Sequence, residues 1–197
     1  FFCVPSLQDK NTLLSQYEIS EDRVFIAKPS VRRFMHFNSS LSSEESTQSL
    51  VLFIVDGKTD RSKIAKLSRV VKARFPKWET KILSLKNKEL FSPQSWKELL
   101  AKTQVCFYLC EKPFDWGTLA LESLFFNIPT VYSEENSCLT EILSPLGLTL
   151  TQFLIAQPDE EALKKNTEVV NSHLNECGVF EPLAMAHQYR DIYRQCF

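Results

Sequence analysis

Short runs of apolar residues alternate along the chain with stretches in which apolar residues recur every three or four positions. The run Leu50–Val55 is apolar at every position, which is typical of a parallel strand covered by helices on both faces. In the next segment apolar residues recur at helical spacing on one face, at Ile64, Leu67, Val71 and Phe75. Strand and helix patterns repeat in this way from residue 50 to residue 176. They predict an α/β fold with a doubly wound, mainly parallel, Rossmann-like sheet.

The same reading gives the other elements. Further strands are predicted at residues 1–4, 24–27, 81–85, 105–109, 130–132 and 153–155. Further helices are predicted at residues 7–17, 93–102, 118–126, 136–143, 160–176 and 181–195.

Composition narrows the class of protein. The chain has 197 residues, of which 44% are hydrophobic and 24% charged, and its formal net charge is −1, as in an ordinary globular domain. Its longest apolar runs have six residues, far fewer than the roughly 18 needed to span a membrane. The six cysteines form no CxxC pair, so we expect reduced thiols and a cytoplasmic protein. Three widely spaced histidines give no metal-binding pattern.

Two of the four glycines follow predicted strands. Gly57 comes after the strand at 50–55, Gly117 comes after the strand at 105–109, and each precedes a helix. Ligands of open α/β sheets bind beyond the carboxyl ends of the strands, so the backbone N–H groups of both turns would face one crevice that favours a phosphate. Lys58 and Lys63 would add positive charge there. Ordinary tight turns with solvated lysines explain the same residues equally well.

The helix predicted at residues 118–126 is apolar around nearly its whole circumference, and Glu122 is its only charged residue. A buried carboxylate is costly unless another group hydrogen-bonds to it. The two hydroxyls of a sugar diol would serve, and so would a salt bridge to a neighbouring Lys or Arg. The sequence leaves both partners open.

The residues around Glu122 resemble a known signature. Residues 114–131, FDWGTLALESLFFNIPTV, are similar to the pattern E-x-F-G-x-x-x-x-E-A-x-A-x-G-x-P-V-V of retaining glycosyltransferases (group 1, family 4-like) with two Rossmann-like domains, the GT-B architecture. Other stretches resemble the same enzymes in the same order, at residues 24–34, 57–63, 141–143 and 153–163. Together these stretches extend over nearly the whole chain.

The resemblance implies a role for each site residue. Lys58 and Lys63 would neutralise the diphosphate of a nucleotide sugar, a UDP- or GDP-sugar above all, and so stabilise the leaving group. Glu122 would bind the ribose hydroxyls, and Asp115 would lie beside the donor. Backbone donors to the phosphates would come from Gly57, Gly117 and Thr118. The resemblance implies no metal and no cofactor apart from the donor substrate.

The resemblance also implies a domain organisation. Residues 50–180 would form the nucleotide-binding domain, and residues 39–49 a polar loop before it. Residues 1–38 would belong to the interdomain region, at the end of an N-terminal domain that lies outside this sequence. The helix in residues 181–197 would cross back to that domain. The absent domain would bind the acceptor, so this chain alone would be inactive as a transferase.

Several positions depart from the signature. Phe114 stands where the family has its first acidic residue, and Glu134 and Glu135 stand where it has a glycine-rich loop. Two carboxylates close to a diphosphate would repel it. Lys58 replaces an arginine, which keeps the charge but loses a bidentate contact. These departures leave a second function open, that of a degenerate, inactive glycosyltransferase-like domain that acts as a protein-interaction adaptor.

Charge is unevenly distributed along the chain. Residues 1–104 carry 18 basic and 11 acidic side chains, whereas residues 105–197 carry 5 and 13. Within residues 58–77, Asp60 is the only acidic residue among eight basic ones. A helix of this composition would fit an anionic membrane surface on the cytoplasmic side, although a solvated helix face is the commoner explanation. We expect no nucleic-acid partner.

Overall fold

The computed structural model describes residues 2–29, 31, 49–57, 59–85, 92–111, 116–181 and 184–196. The strands are β1 (Phe2–Val4), β2 (Val24–Ile26), β3 (Leu50–Val55), β4 (Glu79–Ser84), β5 (Thr103–Tyr108), β6 (Thr130–Tyr132) and β7 (Leu148–Thr149). The helices are α1 (Leu7–Gln16), α2 (Arg61–Arg74), α3 (Pro93–Ala101), α4 (Thr118–Phe125), α5 (Ser137–Leu143), α6 (Leu150–Ala156), α7 (Glu160–Glu176) and α8 (Ala184–Cys196), with a 3₁₀ turn at Glu21–Arg23. None of the helices described is both long and apolar enough to cross a membrane.

Five parallel strands form the main sheet in the order β4-β3-β5-β6-β7. β1 and β2 form a separate two-stranded parallel sheet. All six residues of β3 are buried, and they contribute alternately to the two hydrophobic cores on opposite faces of the sheet. The predicted α/β class, the parallel sheet and the strand covered on both faces are therefore confirmed.

Helices cover both faces of the sheet. One core contains buried residues of α3, α4, α5 and α7. The other contains residues of α2 and α6 packed on the sheet, and we call this side the α2 face. Its centre is aromatic, because the ring of Phe107 stacks on that of Phe53 at 5.0 Å and meets that of Phe153 edge-on at 4.9 Å.

Side-chain caps account for where the helices begin. The Asp60 carboxylate accepts a hydrogen bond from the Ser62 N–H (2.8 Å) at the start of α2. Asp159 accepts one from the Ala162 N–H (2.9 Å) at the start of α7. The cap at Asp60 starts α2 within a few residues of the end of β3, and the cap at Asp159 starts α7 soon after the end of α6.

The strand predicted at residues 153–155 is wrong, because these residues belong to α6. The Gln152 N–H donates to the Thr149 hydroxyl (3.3 Å) and the Thr149 N–H donates to Oε1 of Gln152 (2.9 Å), which is a capping box. The helix that it starts places Leu150 and Phe153, three residues apart, on one buried face. Local capping therefore outweighs the strand propensity of the apolar run, and the last strand is the short β7.

The predicted domain boundaries stay predictions. Most of the predicted polar loop at 39–49 lies outside the described residues. The predicted strand–helix–strand unit at the start of the chain corresponds to β1, α1 and β2.

Candidate functional site

Asp56, the first residue after β3, joins the loops that follow β3 and β5. Its buried carboxylate accepts hydrogen bonds from the N–H groups of Thr59 (2.8 Å) and Glu111 (3.1 Å). The Thr59 hydroxyl donates to the carbonyl of Leu109 (2.9 Å) just beyond β5. These bonds hold the two loops together at the carboxyl edge of the sheet.

Asn136 attaches the loop that follows β6. Its Nδ2 donates to the carbonyl of Cys110 (3.3 Å), and its Oδ1 accepts from the Leu139 N–H (2.9 Å) and so caps α5. The loops after three strands therefore meet at the edge where open α/β sheets bind ligands. We call this meeting point the loop junction.

Lys63, in the first turn of α2, reaches the loop junction. Its ammonium group forms an ion pair with Glu111, and the Ser133 hydroxyl donates to the same Glu111 oxygen (3.4 Å). Burial alone would lower the pKa of Lys63, but the hydrogen bond to Glu111 and the charges of Glu111, Glu135 and Glu134 raise it above its usual value. Lys63 is therefore charged at neutral pH, and a carboxylate already pairs with it.

Two more carboxylates follow β6. The pKa of Glu135 is raised, chiefly because its side chain hydrogen-bonds with that of Glu111 and faces its charge. Burial would raise the pKa of Glu134, but hydrogen bonds from Thr149 and Thr151, including one of 2.7 Å from the Thr151 N–H, lower it instead. Three carboxylates thus lie near Lys63, and they oppose the binding of a further anion.

Gly117 begins α4 at the same edge of the sheet. Its φ of 61° lies in the left-handed region, and a Cβ there would lie 2.5 Å from Cδ2 of Leu139 in α5. Both the backbone conformation and the close approach of α5 therefore require glycine. Half-buried Thr118 is the first residue of α4, so the amino end of this helix, which favours negative charge, lies at the carboxyl edge of β5.

Glu122 is fully buried inside the core, and its Oε2 accepts a hydrogen bond of 2.8 Å from the indole N–H of Trp96. Trp96 lies in α3 and is also fully buried. The sequence left two partners open for Glu122, a sugar diol or a Lys or Arg side chain, and the indole of Trp96 is neither of them. A ribose would reach Glu122 only if this part of the core opened.

The predicted site residues are placed as follows. Gly57, Lys63, Gly117 and Thr118 lie at the carboxyl edge of the sheet, Gly57 being exposed. Lys58 and Asp115 lie outside the described residues. The ligand roles given to all of these residues stay predictions.

Sequence reasoning did not anticipate the polar groups that pair with the predicted ones. Glu111 and Asn136 each follow the end of a strand by a few residues, so their positions alone mark them as residues of the carboxyl edge. Trp96 lies with Leu99 and Leu100 on the buried side of α3, and its N–H needed an acceptor once buried. This need for an acceptor is the sequence feature from which a bond between Trp96 and a buried acid such as Glu122 could have been predicted.

In the part of the chain with described side chains, Cys3, Cys106, Cys110, Cys138 and Cys177 carry thiols rather than disulfide bonds, and the expected reduced state of the protein stays a prediction. Burial raises the pKa of the Cys106 thiol to about 12, although a hydrogen bond with Ser123 acts in the opposite direction. Cys106 and Cys110 are both fully buried in the core. Across the described ranges, no three His, Cys, Asp or Glu side chains are grouped so as to hold a metal ion.

Comparison with known proteins gives a fold and no family. No family model and no curated protein sequence matches this chain. The crystal structure of a glycosyltransferase from Rickettsia africae ESF-5 is similar, with a TM-score of 0.62 and 12% sequence identity, over 98% of this chain and 62% of that one. The pneumococcal O-GlcNAc transferase GtfA, in complex with UDP and GlcNAc, is similar with a TM-score of 0.53 and 10% identity, over 99% of this chain and 45% of that one.

The chain therefore has a glycosyltransferase-like, Rossmann-like α/β fold, as the resemblance implied. It spans less than two thirds of the length of either of these proteins.

Proposed function

We propose that this chain is the donor half of a retaining glycosyltransferase and binds a nucleoside-diphosphate sugar at the loop junction. The observation that carries the proposal is that α2 and α4 both begin at this edge of the sheet, with Lys63 between the loops, in a glycosyltransferase-like fold. Helix amino ends and an ammonium group are the donors that a diphosphate requires. UDP is present in the GtfA structure, which makes it the first nucleotide to test.

In this proposal the chain supplies charge stabilisation rather than a nucleophile. Lys63, with Lys58, stabilises the negative charge that develops on the leaving diphosphate as the bond to the sugar breaks. The backbone N–H groups at Gly117 and Thr118 bind the phosphate oxygens. The acceptor is bound by a further domain, so transfer requires both halves of the enzyme.

Glu111 affects how strongly a diphosphate would bind. Its carboxylate pairs with the ammonium group that the phosphate needs, so binding exchanges one anion for another at Lys63. The gain from the new ion pair is offset by the loss of the old one. We therefore expect weak binding by the isolated chain.

One observation favours a second function, that of a non-catalytic adaptor. Glu111, Glu134 and Glu135 surround Lys63 with negative charge. In an adaptor the Lys63–Glu111 ion pair would serve only to hold α2 against the loop after β5, and no nucleotide would bind.

Isothermal titration of the chain with UDP, GDP, ADP and uridine distinguishes the two functions. A donor half binds at least one nucleoside diphosphate, and UDP binds about tenfold or more tightly than uridine, because charge-assisted contacts contribute about 1.5–3 kcal/mol. If none of the three diphosphates binds at millimolar concentration, the adaptor function is supported and the donor function is rejected.

A further inference from the structure

The outer side of α2 is a basic surface. The helix packs on the sheet through Ile64, Leu67 and Val71, so its opposite side faces solvent. The exposed cations of this helix and of the residues just after it are Arg61, Lys66, Arg69, Lys72, Arg74 and Lys77. No acidic residue occurs between Arg61 and Trp78. Because the whole chain has a net charge of −1, this surface is a local concentration of positive charge.

Exposed apolar side chains lie on the same α2 face. α6 packs there through Leu150 and Phe153, which leaves Ile155 79% exposed and Leu154 41% exposed. Nε of Arg74, the last residue of α2, donates to the carbonyl of Pro158 (3.4 Å), so the end of α2 lies next to the end of α6.

We propose that the α2 face docks on an anionic lipid bilayer, with the outer cations of α2 at the headgroups and Ile155 and Leu154 of α6 at the acyl boundary. Cations bordered by apolar side chains match the surface of a bilayer, in which a layer of anionic headgroups covers the apolar acyl chains. A nucleic-acid backbone would satisfy the cations but would leave the apolar side chains in water.

The proposal does not depend on nucleotide binding, because the docking surface does not include Lys63, the residue proposed to bind the diphosphate. Lys63 forms an ion pair with Glu111 instead of facing the bilayer. The acidic side chains closest in sequence to Pro158 are Asp159, Glu160 and Glu161, and Asp159 caps α7 by accepting a hydrogen bond from the Ala162 N–H (2.9 Å). Glu160 already pairs with Lys164 (2.7 Å), which reduces its effect on the basic surface.

Co-sedimentation of the full chain with vesicles tests the proposal. We expect binding to phosphatidylcholine vesicles that contain phosphatidylglycerol and none to pure phosphatidylcholine. Each cation near an anionic surface contributes about a fivefold change in partitioning, so Arg69→Gln with Lys72→Gln should lower it by about 25-fold. The matched control, Arg190→Gln with Arg194→Gln, changes the net charge equally on exposed positions of α8 and should have a smaller effect.

The apolar part of the surface has its own control pair. Ile155→Ser should weaken binding, whereas Val169→Ser, at a 48% exposed position on α7, should not. Thermal unfolding checks that each variant is folded. The proposal is overturned if the chain does not bind anionic vesicles. It is also overturned if the α2 double variant and the α8 control double variant lose vesicle binding equally. A third contrary result combines two observations: duplex DNA displaces the chain from the vesicles, and the Ile155→Ser variant binds the vesicles as strongly as the wild type. Together they would assign the basic surface to nucleic acid.

Discussion

The indole N–H of Trp96 donates a hydrogen bond to Oε2 of Glu122 over 2.8 Å, and neither side chain exposes any surface to solvent. This bond joins α3 to α4 inside the core that contains buried residues of α3, α4, α5 and α7. The resemblance to the glycosyltransferases assigns the Glu122 carboxylate to the ribose of a donor, whereas in the structure this carboxylate links two helices. Glu122 is a structural residue first, and any ligand role is added to that one.

We expect Trp96→Phe to lower the free energy of unfolding by about 2–3 kcal/mol, because it removes a buried hydrogen bond to a carboxylate and shortens a packed side chain. Urea denaturation measures the loss. Trp78→Phe is the control, since Trp78 is half-buried and stacked on Phe75 at 4.1 Å, and a phenyl ring retains most of that contact. Similar losses in both variants would show that the bond to Glu122 contributes little.

Glu122→Gln separates the structural role from the ligand role. The amide oxygen can still accept the indole hydrogen bond, so the variant should be more stable than Trp96→Phe. If Glu122 also binds the ribose, the affinity for UDP falls in a titration at a temperature where the variant is folded. Unchanged affinity removes Glu122 from the donor site.

Lys63 and Glu111 should have opposite effects on phosphate binding. Lys63→Ala is expected to reduce the affinity for UDP by about tenfold or more and to leave uridine unaffected, because only the diphosphate contacts the ammonium group. Glu111→Gln should raise the affinity for UDP, since it removes the competing carboxylate. Lys66→Ala, one turn along α2 and exposed, is the matched control. An equal loss for UDP and uridine in Lys63→Ala would indicate damage to the fold instead.

The raised pKa of Glu135 has a predictable effect on stability. A carboxyl group whose pKa is higher in the folded state than its ordinary 4.5 favours folding below that value, and this contribution is lost as the pH rises through the folded pKa. Glu135→Gln removes this penalty at neutral pH. We therefore expect its Tm to exceed that of the wild type at pH 7 and to match it below about pH 4.

The control for this prediction is Glu168→Gln, at an exposed position of α7 away from the loop junction. It should not raise the Tm at pH 7. A Glu135→Gln variant whose Tm difference from the wild type is the same at both pH values would contradict the proposed repulsion by Glu111.

Gly117→Ala should be more destabilising than Gly178→Ala, although both glycines have a positive φ, of 61° and 70°. At position 178 a Cβ meets its nearest neighbour, a side-chain atom of Glu181, at 3.4 Å, so the cost is mainly backbone strain of about 1 kcal/mol. At position 117 the Cβ also overlaps the fully buried Leu139. Denaturation of both variants measures the difference, and equal losses would show that α5 shifts aside freely.

The features that sequence reasoning predicted correctly depend on neighbours in the chain. The buried β3 was predictable because a run that is apolar at every position needs cover on both faces. Gly117 was identified because a turn from strand to helix selects glycine within a few residues. Both properties are encoded over less than ten positions.

The partners of the polar residues depend on the fold. Trp96 and Glu122 are 26 positions apart, and Lys63 and Glu111 are 48 apart. Which of several acids or donors reaches a given side chain follows from the strand order and the helix packing, which spacing in the sequence does not specify. The incorrect strand at 153–155 has a different cause, since two polar residues before it decided the conformation of the apolar run.

The buried thiols report how often the folded chain opens, because a reagent modifies them only when they become accessible. Cys106, on β5, is fully enclosed, and its high pKa keeps it unreactive while the fold is closed, whereas Cys177 is exposed and available to a thiol reagent at once. Mass spectra taken during the reaction therefore show Cys177 modified first. The delay before Cys106 is modified measures how often the sheet around it opens. A ligand that binds at the loop junction would lengthen that delay without itself touching any sulfur atom.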